Sequence, residues 1–255
     1  MKQLLRNCIL FILLTCTLAC SELNDCFTNS GAEETRIFEV DFFDQLVLRQ
    51  NVSLQIIESD EEFVEITAGR NRIDEVFVKV QDSTLVIETG GFCTAGFSSA
   101  PVQAVVSTAS LREIRNSSQF PIKSIGVLTY PRLALLSNRG IPGETINVGD
   151  FELQIDNDFV WVNTSGASLF NLKGKTNRFD FGIYTATGKI EAQNLIADTI
   201  NASHRGYSEV HISPKHVLKG EIRSTGNITL HHIPEVIEVE ETFTGTIIID
   251  DSITD

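Results

Sequence analysis

The sequence has almost no helix signals. No window of a dozen residues holds apolar side chains at the 3.6-residue period of an amphipathic helix, and only RNRIDEVF (70–77) suits a single turn. Outside residues 1–19 the chain alternates apolar and polar residues, as in RIFEVDFFDQLVLRQNVSLQIIE from Arg36 onward. The lack of a helical period argues against helical and α/β classes, and the alternation predicts an all-β protein.

Catalytic and cofactor motifs are also missing. The chain has no Gly-x-Ser-x-Gly nucleophile elbow, no phosphate-binding loop and no HExxH or CxxC pair. The five histidines, at positions 204, 211, 216, 231 and 232, do not have the spacing of zinc ligands. We therefore predict no cofactor, no metal and no catalytic residue. His211 alternates with Val210 and Ile212 and is expected to point outward.

Positive charge is scarce. The chain has 20 Lys and Arg residues against 34 Asp and Glu residues, for a net charge of −14. Removal of residues 1–19 would take away Lys2 and Arg6 and leave a net charge of −16. This acidity argues against binding to nucleic acid or to anionic lipid headgroups.

The N-terminus carries the one apolar run, and it is too short to cross a bilayer. Lys2 and Arg6 precede an apolar stretch, and residues 1–19 are predicted to be a signal peptide. Thr17-Leu18-Ala19-Cys20 resembles a bacterial lipobox, in which the cysteine is lipidated; the alternative is ordinary cleavage near Ala19. The expected product is a lipoprotein of the cell envelope, held by Cys20 through a tether at residues 20–35.

Cysteine is rare, and most of the five cysteines are accounted for. Cys8 and Cys16 belong to the predicted signal peptide and Cys20 to the lipid site. Cys26 and Cys93 remain as an even pair in an oxidising compartment, which predicts a disulfide; the alternative is two unrelated thiols. The bond would close a long loop and contribute roughly 4 kcal/mol.

The dominant feature is a repeat of strand, small polar corner and strand. Glycines recur at positions 166, 188, 206 and 226, with short alternating segments before and after each of them. A period of about 20 residues is shorter than a propeller blade and suits the coil of a parallel β-helix. We predict such a domain at residues 36–250, followed by a short tail at residues 251–255. An antiparallel β-sandwich is the alternative.

The stretch NTSGASLFNLKG (163–174) illustrates the corner. Gly166 is expected where a Cβ would clash, Ser165 and Ser168 to satisfy backbone groups at the bend, and one of Leu169 and Phe170 to face the core. This interpretation makes the serines structural and gives no reason to assign a nucleophile.

From Phe38 to Asp250, the order of the strand segments and the SGAS-like corners resembles the family called putative auto-transporter adhesin, head GIN domain. Cys26-Phe27 and the later Cys93 match cysteines that occur in similar envelope lipoproteins of Bacteroidetes-type bacteria. The corner departs from the family pattern elsewhere, as TATG, SHRG and RSTG. The resemblance implies a right-handed parallel β-helix and an adhesive role, and it supplies no catalytic residues.

The candidate binding surface consists of Trp161, Asp156 and Asp158. The period of two places Asp150, Glu152, Asp156 and Asp158 on one face of a strand. Three interpretations of this face are open: a calcium cluster, a pair of glycosidase-like acids, or a solvated strand face. Trp161 is exposed if its neighbouring valines are in the core, and it is buried if it faces inward together with Phe159.

These observations favour a non-enzymatic binding, adhesion or scaffold module, with a glycan or an envelope protein as partner and the membrane reached through the lipid. One alternative is a polysaccharide lyase or hydrolase, which would need a basic residue (Arg139, Lys173 or Lys175) beside Asp156 or Asp158. The other is a regulatory or structural lipoprotein without a ligand of its own.

Overall fold

The computed structural model describes residues 30–90, 100–138, 146–184 and 187–253. These ranges contain β-strands, one 3₁₀ turn at Ile73–Glu75 and no helix able to cross a membrane. The strands are β1 (Glu33–Phe38), β2 (Gln45–Gln50), β3 (Val52–Glu58), β4 (Phe63–Gly69), β5 (Val76–Gln81), β6 (Thr84–Thr89), β7 (Val102–Thr108), β8 (Glu113–Ser118), β9 (Ile122–Leu128), β10 (Arg132–Ser137), β11 (Phe151–Thr164), β12 (Leu169–Ile183), β13 (Lys189–His204), β14 (Val210–Ile222), β15 (Ile228–Leu230), β16 (Val236–Glu241) and β17 (Ile247–Ile249). The all-β prediction is confirmed.

The strands form two stacks that share β11 to β14. Stack A runs β1-β4-β7-β3-β9, then the first halves of β11 to β14, then β15 and β17. Stack B runs β5-β6-β2-β8-β10, then the second halves of β11 to β14, then β16. Each long strand therefore passes from one stack to the other within a single element.

Successive passes of the chain lie parallel. In stack B, Val160 pairs with Phe179 and Phe179 pairs with Ile200, which follow after 19 and 21 residues. This spacing agrees with the intervals between the repeated glycines. From β8 onward all described pairings are parallel, which excludes an antiparallel sandwich for this part of the chain.

The first strands depart from this pattern. β1 pairs antiparallel with β4, β4 with β7, and β5 with β6. Asp82 and Ser83 form the β5–β6 turn with φ values of 50° and 59°, as a two-residue type I′ hairpin requires. β1 begins at Glu33, inside the segment predicted as a tether, because the alternation continues upstream of Arg36 through EETRIF. Parallel pairing therefore does not extend over the whole of the predicted domain at residues 36–250.

The core consists of the inward side chains of successive coils, stacked in columns. Val160, Phe179 and Ile200 follow one another in register and are fully buried. The rings of Phe151 and Phe170 stack with centroids 4.7 Å apart and planes 10° apart. Burial of each large apolar side chain contributes roughly 1.5–3 kcal/mol, so the columns hold adjacent coils together.

The corner at Gly166 has the predicted role, and the reason is close packing. A Cβ on Gly166 would lie 1.9 Å from the carbonyl oxygen of Asn147. The sequence predicts that Ser168 satisfies backbone groups at the bend. Its hydroxyl is buried and lies 2.5 Å from that of Ser137, so it forms a hydrogen bond between two coils instead. Phe170 faces the core.

The cysteine predictions concern residues outside the described ranges. Cys20, Cys26 and Cys93 lie in segments 1–29 and 91–99, so the lipid anchor and the Cys26–Cys93 disulfide stay predictions.

Candidate binding surface

The outward side of β11 carries all three residues of the predicted surface. Val160 and Val162 are fully buried, whereas Trp161 between them is 37% exposed. The alternative in which Phe159 and Trp161 face the core is therefore wrong, since alternate residues of a strand point to opposite faces. Asp156 and Asp158 are exposed on the same side.

Trp161 lies on a sheet face whose polar groups are fixed by hydrogen bonds within one strand and between coils. Its neighbours in register are Ala134 on β10 and Asp180 on β12. The Asp180 carboxylate accepts two hydrogen bonds from Arg178, at 2.8 and 2.6 Å, and one from Asn201 at 2.6 Å. The indole is thus bordered by polar side chains that are already ordered.

A second aromatic group lies two residues earlier. The ring of Phe159 has the guanidinium carbon of Arg132 at 4.8 Å from its centroid and that of Arg178 at 5.4 Å. Arg132, Phe159 and Arg178 are register partners on β10, β11 and β12. Sequence reasoning missed this group because its members are 27 and 19 residues apart and no local motif joins them.

Three further aromatic side chains have different environments. Tyr184 is exposed, and the guanidinium carbon of Arg205 lies 5.9 Å from its ring centroid. Tyr130 is buried, and its hydroxyl donates to the Thr108 carbonyl at 2.8 Å. Burial, aided by the charge of Glu58, raises the pKa of Tyr130 well above its ordinary value. Tyr207 is exposed and lies on the corner after β13.

The two aspartates line an open groove of about 480 Å³ where the long strands pass from stack A to stack B. Asp156 forms an ion pair with Lys175 at 3.3 Å, and Asp158 accepts a hydrogen bond from Asn177 at 2.8 Å. The alternative of a polysaccharide lyase or hydrolase requires a basic residue beside Asp156 or Asp158, and Lys175 is such a residue. Among the described residues Lys173 forms no ion pair with either aspartate, and Arg139 lies outside the described ranges.

The four acidic residues of the predicted cluster do not converge. Asp150 accepts a hydrogen bond from the Leu169 amide at 2.8 Å, and Glu152 pairs with Lys123 at 2.9 Å. The described ranges contain no group of three or more His, Cys, Asp or Glu residues arranged to hold a metal ion. Each acid therefore has a local structural partner.

The histidines of the last coils form a hydrogen-bonded chain. Nδ1 of His211 lies 2.9 Å from Nε2 of His231, and Nδ1 of His231 lies 3.0 Å from the Asp250 carboxylate. Hydrogen bonds from Ser252, together with these two histidines, hold the pKa of Asp250 below its ordinary value. These contacts tie the segment after β17 to the preceding coils.

The fold and this surface define a class: all-β proteins whose stacked, mostly parallel strands display side chains on an outer sheet face. The family model for the putative auto-transporter adhesin, head GIN domain, matches residues 42–234, and the chain belongs to this family. The resemblance predicted from the sequence is confirmed. No curated protein matches the chain in sequence.

Three solved structures show the same fold at low sequence identity. A putative adhesin from Bacteroides fragilis aligns with a TM-score of 0.74 and 18% identity, covering 86% of this chain and 97% of its own. A putative adhesin from Parabacteroides merdae has a TM-score of 0.59 and 18% identity, with coverages of 87% and 97%. A putative lipid binding protein from Parabacteroides distasonis has a TM-score of 0.58 and 17% identity, with coverages of 87% and 98%.

Proposed function

We propose that this chain is a non-enzymatic binding module of the cell envelope that recognises a glycan on the outer face of stack B. The observation that carries the proposal is the exposed indole of Trp161 on the outer sheet face, beside polar groups fixed by hydrogen bonds within β12 and between β12 and β13. A sugar ring has an apolar C–H face and a rim of hydroxyls. An indole bordered by amide and carboxylate groups complements both.

The rigidity of the surface favours recognition without rearrangement. Asn163 accepts a hydrogen bond from Asn138 at 3.0 Å, and Asp180 is bonded to both Arg178 and Asn201. Side chains that are ordered before binding lose little conformational entropy when a ligand arrives. The family and two of the three related structures are named putative adhesins, and the third is named a putative lipid binding protein; these names support a binding role over a catalytic one.

The architecture and the attachment belong to the same proposal. The stacked coils are taken as a right-handed parallel β-helix, and Cys20 as the lipidated residue that holds the domain at the envelope. Two or three acyl chains would anchor the domain firmly, since each buried CH₂ contributes about 0.8 kcal/mol. In cells fed labelled palmitate, Cys20→Ala is expected to lose both label and membrane association. Continued membrane binding of this variant would contradict the anchor.

The binding role is tested with Trp161→Ala on an array of envelope and host glycans, followed by calorimetry on each hit. Loss of a central aromatic anchor is expected to weaken binding by about 30-fold. Phe77→Ala is the matched control, because Phe77 is a 55% exposed aromatic residue on β5, which lies five strands from β11 in stack B. Equal glycan binding by wild type and Trp161→Ala, or no glycan binding by the wild type, would overturn the proposal.

A further inference from the structure

Arg132 differs from the other arginines of the described ranges. Eight of the others form an ion pair with a carboxylate, and Arg72 donates to the Ala100 carbonyl at 3.4 Å. In the described part of the chain, the guanidinium of Arg132 lies over the Phe159 ring and forms no ion pair. In a chain with 34 acidic residues, an exposed arginine that pairs with none of the carboxylates in the described ranges is unexpected.

The surroundings leave the N–H groups of Arg132 available. Arg178, on the same ring, is held by both oxygens of Asp180, so its own donors are partly engaged. Asp158, which lines the same cleft, is bonded to Asn177. A guanidinium resting on an aromatic ring keeps its in-plane donors free while the ring restrains its position.

The cleft beside Arg132 continues into the groove of the two aspartates. It has a volume of about 470 Å³ and is lined by Pro131, Arg132, Asp158, Phe159 and Arg178. Pro131 and Asp158 also line the groove that contains Asp156. Trp161 follows Phe159 by two residues on the same outward side of β11, so one extended ligand can reach both the cleft and the indole.

We propose that Arg132 is the anion-binding point of this surface, and that the ligand is an acidic saccharide whose carboxylate or sulfate group contacts Arg132 while a neighbouring ring packs on Trp161. This inference rests on the proposed function and adds the class of glycan. A planar guanidinium binds a carboxylate through two parallel hydrogen bonds, and it also accepts the oxygens of a sulfate. The local charges of Arg132, Arg178, Asp158 and Asp180 sum to zero, so the site lacks the excess negative charge of the whole chain.

The test uses pairs of ligands that differ only in charge. Oligogalacturonate is compared with its methyl ester, and a sulfated galactan oligosaccharide with its desulfated form, by calorimetry at physiological salt. Arg132→Gln is expected to weaken binding of a charged form about tenfold, the loss of one charge-assisted contact, and to leave the neutral forms unchanged. Arg132→Lys, which keeps the charge without the planar fork, is expected to fall between the two. The charged ligand that loses affinity identifies carboxylate or sulfate as the group bound.

Two controls separate this inference from the binding role itself. Lys173→Gln removes one positive charge from an exposed position on β12 in stack A, and is expected to bind every ligand like the wild type. Trp161→Ala is expected to weaken charged and neutral forms equally. If the wild type binds neutral and charged forms alike and Arg132→Gln changes neither, the anion site is wrong and the binding role stands. If the wild type binds no saccharide, both are wrong.

Discussion

The two ends of the stack are built differently. At the N-terminal end the edge strands β1 and β5 run antiparallel to their neighbours, and Arg36 on β1 forms ion pairs with Glu34 at 2.8 Å and Asp74 at 2.6 Å. At the C-terminal end the edge strands β16 and β17 continue the parallel coils. Ile237 and Ile249 are exposed there, together with Phe243, which is 64% exposed.

This difference shows two ways of ending a stack of coils. The first way replaces the coil with antiparallel strands; β1 among them carries Glu33, Glu34 and Arg36, although Ile37 and Phe77 are exposed at this end as well. The second keeps the coil and relies on Glu238, Glu240 and Glu241 along the edge strand β16. Like charges discourage pairing of one edge with another, although they do not cover the apolar residues.

The largest effect is expected from one substitution made at two positions along the stack. Gly166→Val would place a Cβ 1.9 Å from Asn147 O, and Gly245→Val would place one 2.3 Å from Gly226 O. Gly166 lies among the middle coils, so its substitution is expected to cost more than about 4 kcal/mol. Gly245 lies in the last coil, which can detach locally, and its effect on global stability is expected to be much smaller. Urea unfolding of both variants measures the difference.

Gly90→Ala is the control for these substitutions, because a Cβ at Gly90 meets its nearest atom at 3.6 Å. It is expected to unfold like the wild type. A stable, fully folded Gly166→Val protein would contradict the role of this corner.

The next effect compares apolar truncations. Phe170→Ala removes a fully buried ring stacked on Phe151, and is expected to cost about 3–5 kcal/mol. Ile249→Ala removes a half-exposed side chain from the last strand and is expected to cost less than about 1 kcal/mol. Equal losses of stability in thermal unfolding would mean that the last coil is as tightly packed as the middle ones.

A smaller effect is expected in mild acid at His204. Its Nε2 lies 3.0 Å from the Ser208 carbonyl, and burial lowers its pKa below the ordinary value of 6.5. Because the pKa of His204 is lower in the folded protein, the unfolded chain binds the proton more tightly. His204 therefore causes no loss of stability above pH 6.5, and the free energy of unfolding decreases as the pH falls through and below that value. Hydrogen exchange is expected to increase first in β13 to β16, which surround this corner, and later at β4 and β6.

The matched variant is His204→Gln, which has no titrating ring. It is expected to be less stable at neutral pH and to lose the decrease between pH 7 and 5 that is due to His204. A wild-type stability that is constant over this interval would show that His204 takes up its proton without cost.

The smallest effect on stability is expected at the C-terminal end of the stack. Ile237→Lys adds a positive charge to an exposed position of β16 and is expected to change the unfolding free energy by about 0.5 kcal/mol or less. It is also expected to lower any self-association seen at high protein concentration, because an edge lysine opposes strand addition. Sedimentation of wild type and variant measures this, with Phe77→Lys at the other end as control. An equal reduction by both variants would remove the distinction between the two ends.

The sequence predicted the strands and the repeated corner because both depend on local patterns. The alternation around Val160 and Val162 predicts a strand with one buried and one exposed side, and the recurrence of glycine marks the bend. The repeat predicted parallel strands, which the pairings from β8 onward show. Upstream of the repeat only the alternation is available, which is the same in parallel and antiparallel strands, and so the antiparallel pairing of β1, β4 and β5 was missed. The exposure of Trp161 could not be predicted, because it depends on which alternate residues of β11 face inward. The contact of Arg132 with Phe159 depended on register between coils, which no short motif encodes.

The register of the coils also has a mechanical consequence. Hydrogen bonds between successive coils point along the stack axis, so a tension applied between the two ends loads the layers in series. The layer with the fewest bonds then yields first, and the three-residue strands β15 and β17 form the smallest layer of stack A. Pulled along its axis, the domain is expected to open from this end, while the layers that carry Trp161 and Arg132 stay closed at forces that have already released the last coil.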